Sequence, residues 1–105
     1  MPGPSEDFVS RVLEVVENIP EGRAMAYGDV AAALGSRAAR AVGQVMAYYG
    51  SDVPWWRVIR ASGHPAADHE DRALEHFRAE ATPLVTTRDG YRVNLRVARY
   101  LPDLE

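Results

Sequence analysis

Two predicted helices separated by a single glycine lie in the middle of the chain and limit its fold most strongly. Residues 29–34 (DVAAAL) have the composition of a short helix, and Gly35 ends it because glycine readily adopts the left-handed conformation at helix ends. Ser36 is a preferred residue for the start of a helix, and apolar residues then recur at helical spacing as far as Tyr49. Two helices joined by so short a turn are typical of a helix-turn-helix.

Further elements are predicted on both sides of this motif. A helix capped by Ser5 is expected to end at Pro20, and another to run from Asp68, as its cap, to about Glu80. Short strands are predicted at residues 57–60, 84–87 and 91–95, with the turn Arg88-Asp89-Gly90 joining the last two into a hairpin that could form a wing. We therefore expect one domain over residues 1–105, with a loose start at residues 1–4, that is mainly α with small β elements.

Charge is distributed unevenly along the chain. The 105 residues include 12 arginines and no lysine, and the formal net charge is −3. Residues 21–60 carry five arginines against three acids, whereas the segments before and after are net acidic. The overall acidity argues mildly against a nucleic-acid partner, but the basic segment coincides with the helix-turn-helix. Guanidinium groups suit phosphates and aromatic faces.

Several kinds of chemistry are made improbable by composition. The chain contains no cysteine, so it has no disulfide, no thiolate metal site and no thiol nucleophile. His69 and His76 are seven residues apart with no third ligand in view, which indicates surface residues and no metal site. No secretory signal or membrane-spanning run is present, so we expect a soluble protein of the cytoplasm with no membrane partner and no cofactor.

One face of the third predicted helix is stripped of bulk. Ser36, Arg40, Gly43 and Ala47 follow each other at spacings of three and four, and only the arginine is large. A helix is roughly 10–12 Å across and the minor groove of DNA about 6 Å wide, so a helix can enter that groove only with a bare face. The alternative is that the small residues allow close packing against another helix.

A family resemblance extends over nearly the whole chain. The runs IPEGRAMAYGDVAAALG, SRAARAVGQVM, VPWWRVIRASG and GYRVNLRVARYLP resemble the DNA-binding domain of the O⁶-alkylguanine-DNA alkyltransferases, and in particular their cysteine-lacking relatives, the alkyltransferase-like proteins. The most specific parts are Ala-Arg-Ala-Val-Gly at 39–43 and Pro-x-x-Arg-Val at 54–58. The resemblance implies a winged helix-turn-helix-like fold.

The resemblance also implies that the protein is not an enzyme. The motif Pro-Cys-His-Arg-Val of the enzymes supplies the acceptor cysteine and a histidine that helps to activate it, and Trp55 and Trp56 hold those two places here. Alkyl transfer by that mechanism needs a thiolate. The implied function is a sensor that docks in the minor groove, flips O⁶-alkylguanine out of duplex DNA and flags it for nucleotide excision repair. Trp55 would stand beside the pocket for the flipped base.

The same comparison assigns individual residues. Tyr27 would press on the target phosphate and Arg40 would enter the stack in place of the lost base. The DNA-binding set is Tyr27, Ser36, Arg37, Ala39, Arg40, Gly43, Gln44 and Ala47. The lesion-pocket set is Val53, Pro54, Trp55, Arg60, Ala61, Ser62, Gly63 and Arg72, the last as a substitute for an arginine that some relatives place there. Arg57 could support the loop by hydrogen bonds as readily as contact DNA.

Two other functions stay open at this stage. A winged helix-turn-helix transcription regulator would need long polar side chains for reading bases, where the third helix has Ala39, Gly43 and Ala47. An interaction module that has lost DNA binding would fit the overall acidity. The partners expected from the resemblance are double-stranded DNA with an alkylated guanine and nucleotide excision repair proteins, with the chain acting as a monomer.

Overall fold

A computed structural model describes residues 6–102, so that Ser5 and the loose start expected at residues 1–4 lie outside the described residues. Within this range the helices are α1 (Glu6–Glu17), α2 (Tyr27–Ala33), α3 (Ala39–Tyr49), α4 (Glu70–Ala79) and α5 (Leu95–Ala98), and the strands are β1 (Met25–Ala26), β2 (Val58–Ile59), β3 (Leu84–Thr87) and β4 (Gly90–Val93). The prediction of a mainly helical fold with small β elements is confirmed. Among these helices, none has the length and apolar character needed to cross a bilayer.

The helix-turn-helix consists of α2 and α3, but both helices start elsewhere than predicted. Gly35 follows α2 with a φ of +72°, the left-handed conformation expected of it. α2 begins two residues early because the Asp29 carboxylate accepts a hydrogen bond from the Ala26 N–H (3.1 Å) and so closes the first turn. Ser36 does not cap α3, which begins only at Ala39; its hydroxyl instead accepts a hydrogen bond from the Ala38 N–H (2.9 Å) in the preceding turn.

Other boundaries also differ from the sequence prediction. α1 ends at Glu17, before the predicted Pro20. Asp68 does not cap α4, because its φ of +69° is left-handed and α4 starts at Glu70. β2 covers only two residues, since Arg57 belongs to a 3₁₀ turn at Trp55–Arg57. The predicted hairpin is present as antiparallel β3 and β4, but β4 ends at Val93 and the short helix α5 follows it.

Two apolar clusters form the interior. The first joins α1, α2 and α3 through fully buried valines, including Val12, Val30 and Val42. The second lies around Phe77 and Ile59 of α4 and β2, with Trp55 and Trp56 partly buried against it. The parallel ladder of β1 and β2 connects the two clusters, with Met25 paired to Val58 and Ala26 to Ile59. Tyr27, the first residue of α2, therefore comes close to the chain segment around the two tryptophans.

Candidate nucleic-acid interface

A cavity of about 320 Å³ lies between α3, α4 and the segment that carries Trp55. Five residues of the two predicted sets line it, namely Tyr27, Gly43, Ala47, Trp55 and Arg72. Six further lining residues were not predicted: Met46, Gly50, Ser51, Ala66, Ala67 and His69. No carboxylate is among the lining side chains, and Arg72 contributes a guanidinium. The cavity thus combines an aromatic wall with a positive charge, as an electron-rich, flat ligand would require.

A shallow groove runs along the exposed face of α3, next to this cavity. Its lining residues are Tyr27, Ala39, Arg40, Gly43, Gln44, Ala47 and Tyr48. Tyr27, Gly43 and Ala47 border both the groove and the cavity. We call the boundary at the two small residues of α3, Gly43 and Ala47, the passage between groove and cavity. A Cβ at Gly43 would meet no atom within 4 Å. Close packing against another helix therefore does not explain this glycine, and the bare face is open to solvent.

Aromatic and cationic side chains of α4 and of the residue that caps it pack against Trp55. The ring centroid of Trp55 lies 5.6 Å from that of His69 and 5.7 Å from that of His76, and Cζ of Arg72 lies 5.6 Å from the centre of the indole. His69, Arg72 and His76 are spaced by three and four residues, which places them on one face of α4. That face orients Trp55 at the cavity wall.

The expectation of a surface residue is wrong for His76, whereas His69 is exposed but also contacts Trp55. His76 is half-buried and stacks flat on Trp56, with ring centroids 3.7 Å apart and planes inclined by 5°. Trp55 meets Trp56 edge-on at 5.7 Å. The described part of the chain brings no three His, Asp or Glu side chains together in a group that could hold a metal ion. The two histidines serve as aromatic neighbours of the tryptophans.

A hydrogen-bonded network beneath the tryptophans centres on Glu80, at the end of α4. Its carboxylate accepts hydrogen bonds from Trp56 Nε1 (2.9 Å), from the Arg57 guanidinium (2.5–3.2 Å) and from the Gly22 N–H (3.1 Å). Arg57 also donates to the carbonyl of Ile19 (2.8 Å). Arg57 thus supports the loop, which was one of the two roles that its sequence allowed.

The ionisation of Glu80 follows from these contacts. Burial opposes the charged form, since the Glu80 side chain is only 9% exposed. The hydrogen bonds from Arg57, Gly22 and Trp56 outweigh burial, and the pKa of Glu80 is lowered from its ordinary value. The second tryptophan therefore anchors the wall of the cavity to a charged, largely buried pair.

Tyr27 lies at the junction of groove and cavity, half-buried at the start of α2. Burial raises the pKa of its phenol, and the positive charge of Arg60 opposes that shift only in part. The hydroxyl is therefore protonated at neutral pH and can donate a hydrogen bond to an acceptor such as phosphate oxygen. Asp29, whose carboxylate closes the first turn of α2, accepts two hydrogen bonds from Arg99 (2.6 and 3.0 Å).

Six residues of the predicted lesion-pocket set do not line the cavity: Val53, Pro54, Arg60, Ala61, Ser62 and Gly63. Val53 is 8% exposed and belongs to the first apolar cluster. Gly63 has a φ of +95° and lies so close to β4 that a Cβ would come within 2.7 Å of the Val93 carbonyl oxygen. The chain after β2 therefore turns toward the hairpin and away from the cavity.

The polar residues of this turn are occupied with local contacts. Ser62 Oγ lies 2.7 Å from Nδ1 of His64, as expected of a turn-forming serine. Arg60 Nε donates to the carbonyl of Pro65 (3.0 Å). The predicted DNA-binding residues Ser36 and Arg37 lie before the start of α3 and do not line the groove.

Helical spacing could have identified some of the residues that the sequence prediction missed. Met46 is three residues after Gly43, and Tyr48 is four after Gln44, so both belong beside residues already selected. The small residues Gly50, Ser51, Ala66 and Ala67 carry no chemical signal in the sequence. They line the cavity only because the folded chain brings α3 and the loop before α4 together.

Comparison with known proteins relates this arrangement to a family. The sequence model for the 6-O-methylguanine DNA methyltransferase DNA-binding domain matches residues 7–81. A protein of Escherichia coli named DNA base-flipping protein is 48% identical over 61 residues, which are 55% of this chain and 47% of that protein. The chain thus spans about half the length of that relative. Alkyltransferase-like protein 1 of Schizosaccharomyces pombe is 32% identical over 98 residues, 86% of this chain and 91% of that one.

The fold agrees with these sequence matches. The crystal structure of S. pombe Atl1 in complex with damaged DNA containing O⁶-carboxymethylguanine superposes with a TM-score of 0.83 at 30% identity, and the match covers 94% of this chain and 99% of that one. The chain therefore matches the family domain and also a relative that it covers over nearly its whole length. The chain belongs to the family of the 6-O-methylguanine DNA methyltransferase DNA-binding domain, and within it to the alkyltransferase-like proteins.

Proposed function

We propose that this protein binds duplex DNA through the groove on α3 and receives a flipped O⁶-alkylguanine in the cavity beside Trp55, without removing the alkyl group. The observation that carries the proposal is that groove and cavity share Tyr27, Gly43 and Ala47, so that a nucleotide leaving the groove would reach the cavity across two small residues. A base cannot be examined while it is stacked in a duplex, and turning it out costs a few kcal/mol, less when alkylation has weakened its pairing. The passage gives the extruded nucleotide a short route to an aromatic wall.

Two side chains at the passage have the chemistry that extrusion needs. Arg40 is exposed on the groove face of α3, and its planar guanidinium can stack between bases and donate hydrogen bonds to the unpaired partner. Tyr27 offers a protonated hydroxyl to the phosphate of the turned nucleotide. The names and complexes of the relatives support this proposal, because one is called a DNA base-flipping protein and another is solved with DNA that contains O⁶-carboxymethylguanine.

The absence of alkyl transfer follows from the residues available to accept a group. The chain has no cysteine, and Trp55 stands at the cavity wall. An indole is not a nucleophile under these conditions, and the other cavity residues offer no thiolate. The proposed outcome is recognition alone, after which nucleotide excision repair proteins remove the damaged stretch. This last step rests on the resemblance to alkyltransferase-like proteins.

The proposal is tested by fluorescence anisotropy with two duplexes that differ only in one guanine or O⁶-methylguanine, each titrated at several salt concentrations. We expect tighter binding to the damaged duplex, and we expect Arg40→Ala to reduce that preference. Arg11→Ala removes the same charge from the exposed side of α1 and serves as the matched control. Equal affinity for the two duplexes, or conversion of O⁶-methylguanine to guanine in the recovered DNA, would contradict the proposal.

A further inference from the structure

The exposed surface of α3 has two flanks of different character. Met46 and Gly50 border the cavity, and Gly43 and Ala47 form the passage beside them. Arg40 and Gln44 come next around the helix, and Tyr48 lies furthest from the cavity, as the turn of 3.6 residues requires. Gln44 and Tyr48 are four residues apart and therefore lie one above the other. They form the far flank of the groove.

Tyr48 is the most exposed large apolar side chain of the described residues, at 81%. Its ring contacts that of Tyr49, at a centroid separation of 6.5 Å and an angle of 59°. Within residues 6–102 its hydroxyl takes part in no hydrogen bond, and neither does the Gln44 side chain. The exposed ring can therefore pack against a ligand, and its hydroxyl is available to donate a hydrogen bond to one.

The strands of a duplex determine what this flank would meet. A helix that lies in the minor groove has one backbone on each side of it. If the turned nucleotide enters the cavity, its strand runs along the flank of Met46 and Gly50. The other backbone then runs along the flank of Gln44 and Tyr48.

We propose that Tyr48, assisted by Gln44, binds the sugar-phosphate backbone of the complementary strand. This assignment rests on the proposed function, because the side on which the flipped nucleotide lies decides which strand is the complementary one. Tyrosine and glutamine are common donors to DNA phosphates, and such contacts fix the position of a protein on the duplex. A contact to the complementary strand would hold it in place while Arg40 occupies the gap left by the turned base.

A neutral donor gives this contact a distinctive signature. Loss of the Tyr48 hydroxyl removes a hydrogen bond but no charge, so the affinity falls while the dependence of affinity on salt is unchanged. Loss of a phosphate charge on the complementary strand should matter less once the hydroxyl is gone, since the two partners share one interaction.

The experiment combines protein variants with single methylphosphonate linkages, which remove one phosphate charge and one acceptor oxygen. Duplexes containing O⁶-methylguanine carry one such linkage at successive positions near the lesion, in either the complementary or the damaged strand. Wild type, Tyr48→Phe and Tyr49→Phe are titrated against each duplex. Tyr49 is the matched control, because it neighbours Tyr48 on α3 but does not line the groove.

We expect Tyr48→Phe to weaken binding to the unmodified damaged duplex by about two- to tenfold, as for one lost hydrogen bond. One or two linkages in the complementary strand should weaken wild type and Tyr49→Phe but not weaken Tyr48→Phe further. The assignment is overturned if Tyr48→Phe binds as tightly as wild type. It is also overturned if the effects of Tyr48→Phe and of a linkage are non-additive for the damaged strand instead of the complementary strand. In both cases the wild type still prefers the lesion, so the proposed function stands. A wild type with no preference for the lesion overturns the proposed function and this strand assignment together.

Discussion

Gly43 lies at a position where the stability of the helix alone would favour alanine. It lies within α3, where glycine is less favourable than alanine, yet a Cβ there would meet no atom within 4 Å. Nothing in the protein itself therefore requires a glycine at this position. Under the proposed function, Gly43 keeps the passage between groove and cavity free for the flipped nucleotide.

Substitutions of Gly43 should therefore separate folding from binding. We expect Gly43→Ala to raise the free energy of unfolding by about 0.5–1 kcal/mol, the usual difference between glycine and alanine in a helix. Gly43→Leu should also fold, but it should weaken binding to an O⁶-methylguanine duplex by at least about tenfold, or ~1.4 kcal/mol, because the side chain obstructs the passage. Urea unfolding and anisotropy measure the two effects.

The control for this prediction places a leucine elsewhere. Ala79→Leu exposes the same apolar side chain on α4, away from groove and cavity. It should leave DNA affinity unchanged. If Gly43→Leu bound damaged DNA as tightly as wild type, the passage would have no part in recognition.

At the scale of elements, α4 connects the cavity wall to the rest of the domain. Its inner face holds Trp55 and Trp56 through His69, Arg72 and His76, and Glu80 at its end binds Trp56 and Arg57. Arg57 also donates to the Ile19 carbonyl, which follows α1. The Glu80 carboxylate therefore links the end of α4 to the 3₁₀ turn at Trp55–Arg57 and to the loop after α1.

The stability of this link should depend on pH. We expect Glu80→Gln to lower the free energy of unfolding by about 2 kcal/mol at neutral pH, because Arg57 loses a charged partner in a largely buried place. The pKa of Glu80 is lowered in the folded protein, so ionised Glu80 stabilises the fold fully above its ordinary value of 4.5 and less as the pH falls below that value.

Urea unfolding of wild type and Glu80→Gln between about pH 7 and about pH 3 tests this expectation. The difference in free energy between the two should shrink as the solution becomes more acidic. Glu75→Gln, an exposed change on the same helix, should have little effect at either end of the range. A difference between wild type and Glu80→Gln that is independent of pH would show that the charge of Glu80 does not stabilise the link.

The elements also show what local sequence can and cannot predict. Helical spacing and Gly35 predict the helix-turn-helix, because these signals act within one turn of the chain. The presence of α5 was missed because a distant partner fixes it, since Ala24 donates to the Ala98 carbonyl (2.9 Å). The early start of α2 depends on the local hydrogen bond from the Ala26 N–H to Asp29, and Arg99, 70 residues away, holds that carboxylate in place. Tertiary contacts of this kind produce no periodic pattern of apolar residues in the sequence.

The same distinction applies to the candidate site. Gly43, Ala47 and Trp55 were selected from a face of one helix and from a family motif, and the structure brings them to one cavity. His69 is exposed, as predicted, but it lines the cavity because α4 packs against Trp55. The sequence around His69 does not indicate that packing. Gly63 lies in a matching motif but turns toward β4, because the chain reverses after β2.

At the scale of the whole molecule, the cavity lies where the two apolar clusters meet. The groove belongs to α3 and the first cluster, whereas Trp55 and α4 pack on the second. The β1–β2 ladder and the Glu80 network determine how these halves are placed, and thus the width of the cavity. Because the net charge is −3, the proposed DNA interface depends on its local positive charge, to which the exposed Arg40 contributes.

The central claim, that a damaged base leaves the duplex and stacks beside Trp55, is tested most directly by the fluorescence of that residue. Trp56→Phe leaves Trp55 as the sole tryptophan of the chain. Because this substitution removes the hydrogen bond to Glu80, anisotropy must first show that the variant keeps the preference for the damaged duplex. The emission of Trp55 is followed during titration with duplexes containing guanine or O⁶-methylguanine, and anisotropy of the same samples reports binding. We predict that the emission changes on saturation with the damaged duplex and not with the intact one. Identical emission in the two saturated complexes would contradict the claim.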